Sequence, residues 1–248
     1  MANDIVNYQN VITDIKEIIS SGREVAYNAA NKAMVLTYWH VGKKIPLEVV
    51  GKLQEEINAC NKEGNLHIQL VTNESKAFDG MMAHYGKFKG VQNYIALVGK
   101  KASDLDEKLG YYGERIVLLA QMLGLNTCWV AMTVSKGVVK KNIEIAGGEK
   151  LGIVISLGYG ESQGVPHKSK SMEALSVIHT STPQWFIDGM KSVMCAPTAM
   201  NQQKFVISYE DKKVNAKSLG GFYSKVDLGI VKYHFEVGAG KENFDWGK

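Results

Sequence analysis

The sequence predicts an α+β fold: antiparallel sheets flanked by helices, arranged as two similar halves with an additional helical hairpin at the N-terminus. Three observations predict it. Stretches with apolar residues at three- and four-residue steps alternate with short runs of branched residues that read as strands. The order of elements repeats: Pro46, helix, turn and strand to Val71 parallels Pro183, helix, turn and strand to Tyr209. Gly113 and Gly124 have the same spacing as Gly229 and Gly240. A duplicated unit would produce this pattern. Any chain of alternating helices and strands also yields such echoes.

Taken in order, residues 3–42 read as helical. Ile5, Tyr8, Ile12, Ile15 and Ile19 form an amphipathic stripe, interrupted at Ser20-Ser21-Gly22, and a second helical pattern runs from Arg23 to about His40. Gly42 is a stop signal and Pro46 a start for a helix from Leu47 to Ala59. His67–Thr72 and Asn93–Gly99 read as strands, separated by a loop punctuated with glycine from Asp79 to Gly90. Leu109–Leu123 is the strongest helical pattern, closed by Gly124. Cys128–Val134 and Leu151–Leu157 read as strands, and residues 161–181 as a polar linker. Pro183 opens a helix at a position where its missing N–H is harmless. That helix runs to about Cys195, followed by a strand at Phe205–Tyr209, a helix at Leu219–Val237 and a terminal strand at Phe244–Trp246. The expected organisation is a helical segment over 1–45, a first half over 46–180 and a second half over 181–248.

Bulk properties narrow the function classes. The chain has 248 residues, 45% of them apolar, enough for a substantial core. A net charge of +4 is small, and basic residues sit among acidic ones, as in Glu210-Asp211-Lys212-Lys213. That is a solvated face and argues against a nucleic-acid track. The three cysteines, Cys60, Cys128 and Cys195, are far apart and suggest neither a disulfide framework nor a metal site. Cys128 and Cys195 stand in apolar contexts, where cysteine is usually a small core residue. These features favour a reducing, cytoplasmic compartment. Met-Ala-Asn-Asp-Ile at the start lacks the pattern of a secretory signal, and no apolar stretch is long enough to span a bilayer.

One segment draws attention for chemistry: Cys195-Ala-Pro-Thr-Ala-Met-Asn-Gln-Gln203. Pro197 ends one helix and Thr198 can cap another. Exposed backbone N–H groups at such a junction suit an electron-rich ring edge or a phosphate, and Asn201 adds an amide donor and acceptor. By composition alone an ordinary helix corner is the better description, since capped corners are commonplace.

The segment resembles the Ala-Pro-Ser/Thr-x-x-Asn-x-Gln signature of the nitroreductase family. Further matches are Gly110-Tyr-Tyr-Gly-Glu-Arg-Ile-Val-Leu-Leu-Ala-Gln-Met-Leu-Gly-Leu-Asn-Thr-Cys-Trp-Val-Ala131, Leu157-Gly-Tyr-Gly with His167-Lys-Ser-Lys170, and Asp227-Leu-Gly-Ile with His234-Phe-Glu. They fall in family order over roughly residues 46–248. The chain is most similar to the tandem branch, in which two nitroreductase-like halves form an internal pseudo-dimer.

The resemblance implies one composite site for flavin mononucleotide (FMN). Backbone groups of Trp129, Val130, Ala131 and Met132 would face the ring near its N5 edge. Lys168 and Lys170 resemble the basic pair that holds the flavin phosphate. Ala196, Pro197, Thr198, Ala199 and Asn201 would come from the other half, against the ring or ribityl chain. The implied activity passes electrons from NAD(P)H through the flavin to a nitro, quinone or related small-molecule acceptor. The implied assembly is a monomeric pseudo-dimer or weak homo-oligomer. No acid–base residue is assigned; His84, His167 and His234 are the accessible candidates, each better read as a surface or packing histidine.

The pattern departs from the family at one place. Members carry an arginine-rich segment before the first helix that grips the flavin phosphate. Here the corresponding place is Tyr38-Trp-His-Val-Gly-Lys-Lys-Ile45, and lysine lacks the bidentate fork of arginine. Losing such contacts should weaken flavin affinity. Residues 4–45 instead resemble the N-terminal helical module of a nuclease family found near restriction systems. Two other readings therefore stay open: a degenerate flavin-binding or structural protein without catalysis, and a DNA-associated module acting through residues 1–45.

Overall fold

Pro46, with φ −55°, leads directly into helix α1, Leu47–Gly64, whose Leu53, Ile57 and Cys60 fall on one buried face. In the computed structural model the described residues are 45–80, 88–161, 164–179, 181–210 and 213–247. The expected helical hairpin, the nuclease-like resemblance, Lys43, Lys44 and His84 lie outside them. Helix α1 ends at Asn65, in the left-handed region at φ 50°. The Asn61 side chain then accepts from Ile68 N–H at 2.6 Å and donates to Ile68 carbonyl at 2.9 Å, tying the helix end to strand β1, Gln69–Val71.

The first sheet comprises β1, β2 (Asn93–Lys100), β3 (Asn126–Val130) and β4 (Glu149–Gly158), in the order β1-β2-β4-β3, with every pair antiparallel. Strand β2 is buried over almost its whole length. Its side chains alternate between two cores. Ile95 and Leu97 join the main core, and Tyr94, Ala96 and Val98 join a smaller one with Phe78 and Val139. Strand β3 is at the sheet edge. Helix α2, Leu105–Met122, ends as expected at Gly124, φ +79°, with Leu125 N–H on the Ala120 carbonyl at 2.9 Å. The short helix α3, Lys136–Lys141, was not foreseen, being too brief to show a period.

The second half of the described chain departs from expectation in four places. Residues 161–181 are not only a linker: they carry helix α4, Met172–Leu175, and strand β5, Ser176–Val177. Helix α5, Gln184–Val193, strands β6 (Phe205–Glu210) and β7 (Lys213–Ser218), helix α6 (Ser224–Ala239) and strand β8 (Asp245–Trp246) follow. The order is β5-β6-β7-β8. Only β6 and β7 pair antiparallel; β5/β6 and β7/β8 are parallel, so the sheet is mixed. Each parallel pair is separated in the chain by a helix, the long connection that parallel strands require. Strand β7 was missed because Lys-Val-Asn-Ala-Lys-Ser buries only Val214; it is held by its pairing with β6. Helix α6 begins at Ser224, after Gly220 at φ 82° and Gly221 at φ 125°, and not at Leu219.

Helices α2 and α6 cross with their backbones in close approach. A Cβ on Gly110 would fall on the Val226 carbonyl, and one on Gly229 on the Glu107 carbonyl. Buried carboxylates lie on both helices. Glu114 accepts from Trp129 Nε1 at 3.0 Å and pairs with His234 Nε2 at 2.9 Å. Glu236 accepts from Trp246 Nε1 at 2.7 Å and Tyr111 Oη at 2.5 Å. His234, read from sequence as accessible, is therefore buried and partnered.

Cysteine burial is also the reverse of the expectation. Cys60 is enclosed, and burial pushes its thiol up to about 12, whereas Cys128 and Cys195 are exposed. Cys128 takes an exposed position on the edge strand β3, next to the half-buried Trp129. Among the described residues no helix is long and apolar enough to cross a membrane, and no cluster of His, Cys, Asp or Glu could hold a metal ion.

Candidate functional site

A cavity of about 400 Å³ lies where the end of β3 meets the turn that follows α5. That is within the roughly 300–1,000 Å³ of small-molecule pockets. Trp129, Ala131, Met132 and Thr133 form one wall, with Ile153 of β4. Pro197, Thr198, Ala199 and Met200 form the opposing wall. Phe222 and Tyr223, with Val226, Asp227 and Ile230 of α6, complete it.

The first wall follows from the edge position of β3. Trp129 is half-buried, its indole N–H held by Glu114 and its ring packed on Gly113, where a Cβ would collide with it. Among the described residues β3 ends the sheet, beside β4.

The second wall is a strained turn. Met200, Asn201 and Gln203 are in the left-handed region at φ 51°, 52° and 45°, as is Tyr223 at 54° across the cavity. For side chains larger than glycine such conformations are costly, and they persist where surrounding contacts over-determine them. Here Asp227 supplies the contacts: Oδ1 accepts from Ala199 N–H at 2.9 Å and Oδ2 from Gln202 Nε2 at 2.6 Å. Thr198 does not cap a following helix through its side chain. Its Oγ1 accepts from Gln203 N–H at 3.1 Å and closes the turn.

The structure places the residues implied by the resemblance as follows. Trp129, Ala131, Met132, Pro197, Thr198 and Ala199 come together around the cavity. Val130 and Ala196 are buried in the cores beside it. Lys168, Lys170 and Asn201 are outside the lining and form a clasp: Asn201 Nδ2 donates to the Lys168 carbonyl at 2.9 Å, and Lys170 Nζ donates to the carbonyls of Gln202 at 3.1 Å and Gln203 at 2.9 Å. The Lys170 charge is thus used on the turn itself. His167, half-buried, lies 3.1 Å from Ser169 Oγ.

Sequence reasoning assigned no site role to Phe222, Tyr223, Val226, Asp227 or Ile230, although Asp227-Leu-Gly-Ile230 was among the family matches. That motif, and the Gly220-Gly221 pair ahead of an apolar helix, which marks a tight entry to that helix, were the available signals.

Burial pushes the Asp227 carboxyl above the usual aspartate range, partly opposed by the Ala199 and Gln202 hydrogen bonds. The folded protein thus holds this proton more tightly than the unfolded chain. The resulting stabilisation is complete below the ordinary aspartate value and is lost as pH rises through the raised one. Asp227→Asn, which keeps an acceptor for Ala199, should therefore gain stability relative to the parent between about pH 4 and pH 7. Urea midpoints at both pH values check this; a difference that does not grow with pH would refute it.

The fold and cavity define the class: a nitroreductase-like α+β protein with an apolar site between elements of its two sheets. The chain belongs to the nitroreductase family described as "Putative TM nitroreductase", whose model matches residues 32–239. That match begins ahead of the boundary expected at 46, inside the segment that resembles the nuclease-family module. Among solved structures the chain is similar to a "putative nitroreductase" of Thermotoga maritima, with TM-score 0.53 and 20% identity over 78% of this chain and 74% of that one. At that identity the likeness shows the fold alone. Weaker likenesses include a "Putative NADH Oxidase" of Clostridium acetobutylicum (TM-score 0.42, 20% identity, 57% of this chain, 92% of that one). Another is an FMN-dependent nitroreductase of Mycobacterium smegmatis in complex with NADPH (TM-score 0.38, 13% identity, 48% of this chain, 80% of that one). No curated protein matches.

Proposed function

We propose that the chain is a flavin-dependent oxidoreductase with FMN as cofactor, passing electrons from NAD(P)H to a nitro, quinone or related small acceptor. The observation that carries this is the convergence of Trp129–Thr133 and Pro197–Met200 on one apolar cavity. These residues fit a planar heteroaromatic ring. Trp129, Pro197 and Ile230 offer apolar walls, Met132 and Met200 polarisable sulfur, and the chain at Ala131–Thr133 backbone groups for ring nitrogens and oxygens. When bound, the flavin supplies the hydride and electron chemistry. The protein's part is to hold and orient the ring, exclude water from its enclosed side and leave the Met132, Met200 and Phe222 side open to a second molecule.

The pseudo-dimer is part of the same proposal, and three features support it. The series α1-β1-β2-α2-β3 and α5-β6-β7-α6-β8 run in the same order. The offset that sets Gly113 on Gly229 also sets Gly110 on Val226, and those two positions are in contact, as a position on a two-fold axis would be with its own counterpart. Each buried carboxylate takes one donor from its own half and one from the other: Glu114 from Trp129 and His234, Glu236 from Trp246 and Tyr111. On this reading the cavity corresponds to a subunit-interface site drawn inside one chain.

Purified protein should be yellow, or become so on incubation with FMN, release flavin on denaturation, and oxidise NADH or NADPH when a nitroarene or quinone is supplied. Colourless protein that takes up no flavin would sink the proposal.

A further inference from the structure

We infer that the carboxylate of Asp227 lowers the reduction potential of flavin held in the cavity, so that electrons pass to the acceptor more readily than they would without this charge. The inference rests on the flavin reading above and names a residue of this chain that tunes it. Asp227 is 3% exposed and is part of the cavity lining. Its oxygens accept from two neutral amides, Ala199 N–H at 2.9 Å and Gln202 Nε2 at 2.6 Å. Neither of those atoms can accept, so both contacts are those of an ionised carboxylate. They stabilise the charge without cancelling it.

The place of Asp227 in the fold makes its charge count. It is in the first turn of α6. A helix N-terminus carries about half a positive charge, which offsets the carboxylate only in part. Burial pushes the Asp227 carboxyl up, the mark of surroundings that solvate charge poorly. In such surroundings charges act over a distance. At an effective dielectric of about 20, two unit charges about 8 Å apart change an equilibrium about 30-fold.

Hydride transfer from NAD(P)H carries two electrons and one proton. It therefore brings one unit of negative charge into the cavity, and the donor leaves as NAD(P)+. Asp227 opposes the arrival of that charge and favours its departure to the acceptor. Protein charge close to a flavin is one of the means by which a fold sets its electronics. Asp227 thus has two tasks. Its hydrogen bonds hold the turn at Ala199 and Gln202, and its charge sets the balance between the two half-reactions.

The test is the potential of FMN bound to the full chain, by anaerobic equilibration with a dye of known potential at about pH 8, where carboxylates are ionised. Asp227→Asn and Asp227→Ser remove the charge and keep an acceptor for Ala199 N–H. Both should shift the balance toward reduced flavin by about tenfold or more, which is about 30 mV upward for a two-electron couple. Gln202→Leu is the control. It breaks a hydrogen bond of the turn and keeps the charge, so it should weaken both redox forms alike and change their ratio by less than about twofold, about 9 mV. An unchanged or lower potential in the two neutral variants overturns the inference and leaves the flavin reading standing, as does an equal rise in Gln202→Leu. Loss of flavin binding in both neutral variants also overturns it, since the carboxylate would then serve the turn alone. Failure of the parent chain to bind FMN overturns both.

Discussion

Glu114→Ala should destabilise the protein by about 3–5 kcal/mol, the usual result of removing one member of a buried, hydrogen-bonded pair. Glu114 is 1% exposed and accepts from both Trp129 Nε1 and His234 Nε2. Its loss leaves two enclosed donors without an acceptor, each at a penalty of about 1–3 kcal/mol. Against a total stability of about 5–15 kcal/mol, that is enough to shift the folding equilibrium by orders of magnitude. The variant should also weaken flavin binding, because the freed indole belongs to the cavity wall. Glu114→Gln retains one acceptor oxygen and should lose less on both counts. Urea unfolding with flavin titration measures the two effects together. A loss below about 1 kcal/mol for the alanine variant would mean that the carboxylate is replaceable by water.

Gly229→Ala should cost about 1–3 kcal/mol, the range for overpacking an enclosed contact. Two effects oppose each other. Alanine favours a helix over glycine by about 0.5–1 kcal/mol. The new Cβ, however, would fall on the Glu107 carbonyl, which is backbone and can yield only if helix α2 moves. The overlap should win. Because Val226, Asp227 and Ile230 line the cavity from the same helix, displacement of α6 should reduce flavin affinity as well. Gly51→Ala is the control. That glycine is at an exposed position of helix α1 with nothing within 4 Å of a Cβ, so the substitution should stabilise by about 0.5–1 kcal/mol. Thermal melts of the two variants compare them directly. Equal shifts would show that the α2/α6 approach is slack.

What could be read in the sequence was whatever local physics dictates. The helices α1 and α2 follow from apolar periodicity, with Pro46 and Gly124 as punctuation. Strand β2, apolar along both faces, announces itself as a central strand. The motif order carried the family, and Trp129, Ala131, Met132 and Pro197–Ala199 were picked out before their meeting place was known.

The tertiary structure alone decided what depends on distant partners. Strand β7 has little apolar content and exists because β6 pairs with it; β5 and β8 are two residues each and are held by their neighbours. Cys128, on an edge strand, and Cys195, in the turn after α5, are exposed although their sequence neighbours are apolar, since exposure is set by the fold and not by adjacency. His234 is enclosed because Glu114, far away in the chain, meets it across the α2/α6 crossing. Asp227 joins the site because it reaches back to Ala199 and Gln202 and holds a backbone that would otherwise relax. Periodicity and capping act over a few residues and leave a mark on the sequence. Pairing, enclosure and the support of a strained turn act across the fold, and no single segment records them.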